Sequence, residues 1–254
     1  MKFLAVGAHP DDIESNAGGI LTRLKHLGHE VGYVICTDGS KGSTIMEDGQ
    51  HLKGTRQREQ QGAGAVIGVD KFFFFDFVDG ELEAGLKLRF EIVKAIREFQ
   101  PDVVLSWDPS SYWLGDFAMN HPDHMAVGRE TAYAVYPSAR DNLMFPELYR
   151  QGLPGFKTRE LWMFGSNHPN FFIDVQAEFG TKIEALGRHA SQVAPDTFVQ
   201  GMHVKNAWLC RDFVNSVTAD LREHPEYIEA FRRVALDPIA DLIASLGKTF
   251  VVTG

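Results

Sequence analysis

Apolar positions in the first half of the chain alternate between two spacings. Residues 2–7 form a short continuous apolar run closed by Gly7, as a buried strand requires. Residues 17–28 follow with helical spacing, with Ser15 or Asn16 as the cap and Gly28 as the stop. Residues 30–37 read as a second strand, and residues 38–54, rich in Gly, Ser, Lys and Asp, as a long polar loop. A helix over 55–67 stops at Gly68. The run Phe72-Phe73-Phe74-Phe75 has no alternation and predicts a strand covered on both faces. Leu88, Ile92, Ile96 and Phe99 mark one face of a helix over 86–99; Pro101 ends it, and residues 102–107 make another strand.

The second half is less regular. A loop at 108–120 leads into a helix at 122–136, opened by Pro122. Residues 161–164 and 171–175 are candidate strands, and residues 177–193 a helix with Phe179, Ile183, Leu186, Ala190 and Val193 on its core face. Two more helices are expected near 197–216 and 225–245. Strand–helix alternation predicts an α/β fold: a Rossmann-like, mostly parallel sheet with helices on both faces and the active site at the carboxyl ends of the strands. With no linker, repeat or low-complexity tract, residues 1–254 read as one domain, less regular from about 194.

Composition narrows the function. The chain has 254 residues, 44% hydrophobic and 23% charged, ordinary for a globular protein. Acidic residues outnumber basic ones 34 to 25, for a formal charge of −9, which argues against wrapping nucleic-acid phosphates. Cys36 and Cys210 are too few for a disulfide framework or a four-thiolate metal site and read as buried thiols. No apolar run approaches the ~20 residues of a membrane span. The apolar start is too short for a signal peptide, and the expectation is a cytoplasmic protein.

Three polar clusters fall at expected strand ends: His9-Pro10-Asp11-Asp12, Thr37-Asp38-Gly39-Ser40, and Asn120-His121-Pro122-Asp123-His124. The first and third each carry His-Pro-Asp and a further residue able to bind metal. Imidazole and carboxylate suit Zn²⁺, and catalytic zinc keeps three protein ligands and a water. One such motif alone is better explained by a turn and helix cap. Two of them, both at strand ends, favour a metal site. Gly18-Gly19 is not a dinucleotide fingerprint, because His-Pro-Asp-Asp occupies the turn where the glycines would stand.

Ala8-His9-Pro10-Asp11-Asp12-Ile13-Glu14 with Ala17-Gly18-Gly19 resembles the opening of the PIG-L/LmbE family of zinc-dependent N-deacetylases. Thr37-Asp38-Gly39, Arg56-Gln57-Arg58-Glu59, Asp79-Gly80, His121-Pro122-Asp123-His124 and residues 182–192 extend the resemblance over roughly residues 2–193, with Glu229-Ala230-Phe231-Arg232-Arg233 a looser addition. The resemblance implies His9, Asp12 and His124 as metal ligands and Asp11 as general base. It implies His121 as the group that stabilises the oxyanion, in its protonated form, and donates to the leaving amine, with Asp123 the carboxylate that sets the charge and orientation of the two neighbouring histidines. Arg56, and more loosely Arg140, match substrate-contacting arginines.

The implied reaction is removal of an acetyl or other acyl group from an N-acetylglucosamine-type amino sugar or its conjugate. Zn²⁺ is the implied cofactor, with Fe²⁺ or another divalent metal compatible with the same ligands. A homo-oligomer is compatible with the resemblance. Trp107, Tyr112, Trp113 and Phe117 offer either a stacking surface for a sugar or aglycone, or packing under the loop. His189 is a candidate pocket residue; His26, His29, His51, His168, His203 and His224 lack paired metal spacing and read as surface residues. Two alternatives compete. A metal-dependent phosphoesterase would favour several carboxylates bridging two ions. A non-enzymatic sugar- or metal-binding protein would have no need of Asp11.

Overall fold

The computed structural model describes residues 1–43, 48–114, 118–192, 201, 205–206, 209 and 225–251. An eight-stranded sheet forms its centre. The strands are β1 (Lys2–Gly7), β2 (Glu30–Thr37), β3 (Lys71–Phe77), β4 (Val103–Trp107), β7 (Glu160–Phe164), β8 (Phe171–Asp174), β9 (Ile228–Ala235) and β10 (Thr249–Val251). A separate two-stranded hairpin pairs β5 (Trp113–Leu114) with β6 (Ala118–Met119). The sheet order is β10-β8-β9-β7-β4-β1-β2-β3. The run β3-β2-β1-β4-β7 is parallel, and β9, β8 and β10 continue it antiparallel. The chain winds outward from β1 to β3, then resumes on the other side at β4. This places a topological switch point between β1 and β4, where an open α/β sheet binds its ligands.

Helices cover both faces. The helices α1 (Asp12–His26) and α2 (Gly49–Ile67) share a core with Phe3, Tyr33, Trp162 and Phe231. The helices α3 (Leu86–Phe99) and α4 (Pro122–Tyr133) cover Leu4, Val6, Val34 and Val104 on the opposite face. Shorter helices are α5 (Pro146–Arg150), α6 (Phe179–Leu186) and α7 (Ala240–Ser245), and a π turn spans Ala134–Ser138. Phe72 and Phe74 pack into the first core, and Phe73, Phe75 and Phe77 into the second, so the strand is covered on both faces as expected. It is nonetheless the sheet's edge, and its phenylalanines are half-buried. Among the described residues no helix is long and apolar enough to cross a membrane.

Several boundaries differ from the sequence expectation. The first helix begins at Asp12, not after Ser15, because the chain turns into it directly through a left-handed Asp11. The second begins at Gly49, capped by the Asp48 side chain accepting from Gln50 N, so it takes the last part of the expected loop. The sixth is shorter than 177–193, ending at Leu186. The largest change is at 225–245. Its Glu-Ala-Phe-Arg-Arg run has good helix propensity, yet residues 228–235 form a strand paired with both β7 and β8. Burial of Ile228, Ala230 and Phe231 between neighbouring strands outweighs local preference there. The expected helix over 197–216 falls almost entirely outside the described residues.

Two glycines allow close approaches that position the site. A Cβ at Gly128 would lie 2.5 Å from the Trp107 carbonyl oxygen, so α4 can sit against the end of β4 only with glycine there. A Cβ at Gly19 would lie 2.7 Å from Val175 Cβ, at the contact of α1 with the end of β8.

Candidate active site

The turn after β1, the turn after β3 and the loop between β4 and α4 meet at the carboxyl end of the sheet. They bring His9, Asp11 and Asp12 together with Asp79 and with His121, Asp123 and His124. All but Asp11, His121 and His124 are at most 8% exposed, so their polar atoms must be satisfied within the cluster.

His9, Asp12 and His124 bring their polar atoms close together. His9 Nδ1 lies 3.2 Å from His124 Nε2 and 3.8 Å from Asp12 Oδ2. His124 Nε2 lies 3.2 Å from Asp12 Oδ1. Ligands at 2.0–2.1 Å around a tetrahedral ion stand about 3.3 Å apart, close to the 3.2 Å that separates His124 Nε2 from both His9 Nδ1 and Asp12 Oδ1. Each is held for that purpose. Asp12 Oδ2 accepts from Ala8 N at 2.8 Å, His9 N at 2.9 Å and Trp107 Nε1 at 3.0 Å, which leaves Oδ1 for a ligand role. His124 Nδ1 meets Asn120 Oδ1 at 3.0 Å, which puts the ring proton there and leaves Nε2 as a donor to metal. The Trp107 indole stacks on the His124 ring at 3.8 Å and 8°.

The electrostatics favour a cation at this point. Burial opposes charge on His9, but hydrogen bonds to Asp123 and Asp79 and the charge of Asp12 outweigh it and push its pKa up to about 10. Burial likewise opposes ionised Asp12, but His124 and His9 hold it well below the usual carboxylate range. Two donor groups, His9-His121-His124 and His9-Asp79-His121-Asp123, each lie within 4.8 Å. They share His9 and His121, so among the described residues they overlap in one cluster, with Asp12 in neither group.

Asp123 is placed differently from expectation. Its Oδ2 is 3.1 Å from His9 Nε2 but 4.0 Å from His121 Nδ1, so it orients the histidine of the other motif. Gly80 N and Leu82 N fix this carboxylate, and Asp79 Oδ1 shares the His9 Nε2 contact at 3.1 Å. A carboxylate behind a ligating histidine fixes its tautomer and raises its basicity. Asp79 was therefore missed as a site residue, although its position just beyond a strand end was a usable signal.

His121 caps α4: its Nδ1 accepts from Asp123 N at 3.2 Å. The ring proton therefore sits on Nε2. Burial and the charge of His9 hold its pKa below the usual histidine range. This direction opposes the protonated form expected of it. Its ring meets His9 edge-on at 4.7 Å, and its side chain is 41% exposed, open to a ligand.

Asp11 has φ 102°, unusual for a residue with a Cβ. Burial and the charge of Asp12 push its pKa up to about 6, against the opposing charges of Arg56, His189 and His9. Its side chain keeps 29% exposure.

The other expected site residues divide. Arg56 is buried, not solvated: it donates to Pro10 O at 2.8 Å and Gly39 O at 3.1 Å, and lies 3.4 Å from Asp11 Oδ2. Arg140 is not brought to the cluster. It follows the π turn beyond the far end of α4, with its guanidinium over the Tyr136 ring at 5.5 Å. His189, the candidate pocket residue, is fully buried with Nε2 3.5 Å from Glu14 Oε2. Trp107 is buried against the site, Tyr112 and Trp113 are exposed, and Phe117 lies outside the described residues. His26, His51 and His168 are exposed and His29 half-buried; His203, His224 and Cys210 lie outside the described residues, and Cys36 is a buried free thiol.

The family model described as GlcNAc-PI de-N-acetylase (PIG-L) matches residues 4–135, which include every residue of this cluster. A diacetylchitobiose deacetylase from Thermococcus kodakarensis is 33% identical over 78% of this chain and 72% of its own. A 1D-myo-inositol 2-acetamido-2-deoxy-alpha-D-glucopyranoside deacetylase from Mycobacterium sp. (strain KMS) is 26% identical over 76% of this chain and 74% of its own. The structure of N,N'-diacetylchitobiose deacetylase from Pyrococcus horikoshii aligns with a TM-score of 0.81 at 26% identity, covering 95% of this chain and 88% of that one.

Proposed function

The chain belongs to the PIG-L family of metal-dependent deacetylases acting on N-acetylglucosamine-type substrates, and we propose that it hydrolyses the acetamide with His9, Asp12 and His124 holding zinc and Asp11 as the base. The observation that carries this reading is His124 Nε2 lying 3.2 Å from both His9 Nδ1 and Asp12 Oδ1. When bound, a divalent ion supplies Lewis-acid polarisation of the amide carbonyl and lowers the pKa of a water to about 7.

The chain's own residues then divide the proton work. Asp11 takes the proton of the attacking water. Its carboxylate stays partly exposed while Arg56 keeps positive charge 3.4 Å away, which favours the ionised base before reaction. His121 donates from Nε2 to the developing oxyanion, as a neutral imidazole held by the Asp123 N–H at Nδ1. The departing amine then receives the proton that Asp11 holds. Asp123 and Asp79 keep His9 turned with Nδ1 toward His124 Nε2. Arg56 clamps the Pro10 carbonyl and the Gly39 turn, so we assign it to holding the base. The substrate is a small N-acyl amino sugar or its glycoconjugate.

Incubating the zinc-loaded protein with a panel of N-acetylglucosamine derivatives, and measuring free amine, tests this reading. Amine release that chelation abolishes and zinc restores is the expected result. No release from any sugar or chitobiose-type conjugate, with one zinc bound per chain, would overturn the substrate class.

A further inference from the structure

The first helix and the second meet behind the catalytic turn through a buried polar chain that the reaction itself does not use. Asp11 N donates to Gln60 Oε1 at 3.1 Å, and Gln60 Nε2 donates to Glu14 Oε1 at 2.7 Å. Gln60 and Glu14 are both 0% exposed. The amide orientation of Gln60 is set by its partners, since one side must accept from a backbone N–H and the other must donate to a carboxylate. Glu14 Oε2 in turn faces His189 Nε2 at 3.5 Å, with both side chains fully buried.

Gln60 and Arg56 stand four residues apart on α2, so they share a helix face. Arg56 Nη2 holds the carbonyl oxygen of Pro10 at 2.8 Å, while Gln60 holds the N–H of Asp11. The two side chains therefore grip opposite ends of a single peptide group, the one joining Pro10 to Asp11. That peptide's orientation is what φ of Asp11 measures, and at 102° it lies in a region that a residue with a Cβ rarely adopts. Such a conformation persists only where its surroundings over-determine it.

We infer that Gln60, braced by Glu14, is a positioning residue that locks the Pro10–Asp11 peptide and so aims the Asp11 carboxylate. This rests on the reading of Asp11 as the base. Without the Gln60 acceptor the peptide rotates toward the ordinary φ region, and the carboxylate leaves its productive direction. A displacement of about 1 Å at a reacting group costs on the order of 100-fold. The metal ligands are untouched, because Asp12 is fixed by Ala8 N, His9 N and Trp107 Nε1.

The test is a double-mutant cycle with a compensating swap. Gln60→Leu is expected to lower kcat about 10- to 100-fold, with KM changed less than about 2-fold and one metal per chain retained. Added to Asp11→Ala it lowers the residual rate no further, because its effect runs through Asp11. Glu14→Gln combined with Gln60→Glu keeps both hydrogen bonds with carboxylate and amide exchanged, and restores kcat to within about 3-fold of wild type. Should Gln60→Leu fold poorly, Glu14→Leu with Gln60→Leu removes both buried partners together and carries the same expected loss. Undiminished kcat in the Leu variants overturns the inference. So does an equal loss in the Asp11→Ala background, or a swap variant as slow as Gln60→Leu. Wild-type turnover in Asp11→Ala alone overturns the base assignment and this inference with it.

Discussion

Two groups of buried carboxylates among the described residues are built in opposite ways. In the antiparallel part of the sheet each is saturated. Glu229 accepts from Gly19 N and Ile20 N, both at 2.8 Å, and pairs with Lys182 Nζ at 2.6 Å. Glu160 accepts from Arg233, from Trp162 Nε1 at 2.8 Å and from Ile239 N at 2.8 Å. At the carboxyl end of the parallel part, three carboxylates crowd around His9, whose two nitrogens face Asp12, Asp79, Asp123 and His124. A saturated carboxylate fixes one element to another. An acidic cluster whose donors converge on a common point calls for a cation and leaves protons to move. The difference separates the part of the chain that holds the fold from the part that does chemistry.

The largest effect expected from breaking the first kind is on stability. Glu229→Ala leaves Lys182 buried without its partner and removes the acceptor for two helix N–H groups. The expected loss is about 3–5 kcal/mol in urea unfolding, with metal content per folded chain unchanged. A loss below about 1 kcal/mol would show that the pair is not a lock.

Breaking the second kind at its margin is expected to act on the ion instead. Trp107→Phe keeps an aromatic ring for His124 but removes the Nε1 donor to Asp12 Oδ2. Zinc affinity is expected to fall about 10- to 100-fold in a competition titration. Unchanged affinity would mean that this donor does not hold Asp12.

A smaller effect follows from pH. Burial opposes the ionised Glu160, but Arg233, Trp162 and Ile239 outweigh it and hold its pKa below the usual glutamate range. A lowered folded-state pKa means that the unfolded chain binds the proton more readily, so the stabilisation is present above the unfolded pKa of about 4.3. It is lost as pH falls through the folded value. The stability gap between wild type and Glu160→Gln should therefore be full at pH 7 and shrink below pH ~4. A gap independent of pH would contradict the ion-pair account.

The smallest effect is expected at Arg140. Arg140→Ala should leave kcat/KM within about 2-fold, since the residue sits against Tyr136 and not at the cluster. A loss of 10-fold or more would bring it back as a substrate contact.

The parallel part was legible in the sequence because each of its strands is a continuous apolar run that ends in a polar motif. His9, Asp11, Asp12, His121, Asp123 and His124 all lie at such ends, and the structure brings them together. What escaped was pairing between distant segments. Nothing local says that Asp123 would serve His9 instead of His121, or that Asp79 would join it. Gln60 carries no local signal, since its partner is the backbone of a turn 49 residues away. The strand at 228–235 was misread for the same reason: its neighbours, not its own residues, decide its conformation.

Metal content and turnover, measured side by side in Asp11→Ala and His124→Ala, test the central claim most directly. The account predicts that Asp11→Ala keeps one zinc per chain and loses about 10²- to 10⁴-fold in kcat, as removal of a general base does. His124→Ala should lose both metal and activity. Near-normal turnover in Asp11→Ala, or undiminished zinc binding in His124→Ala, would contradict it.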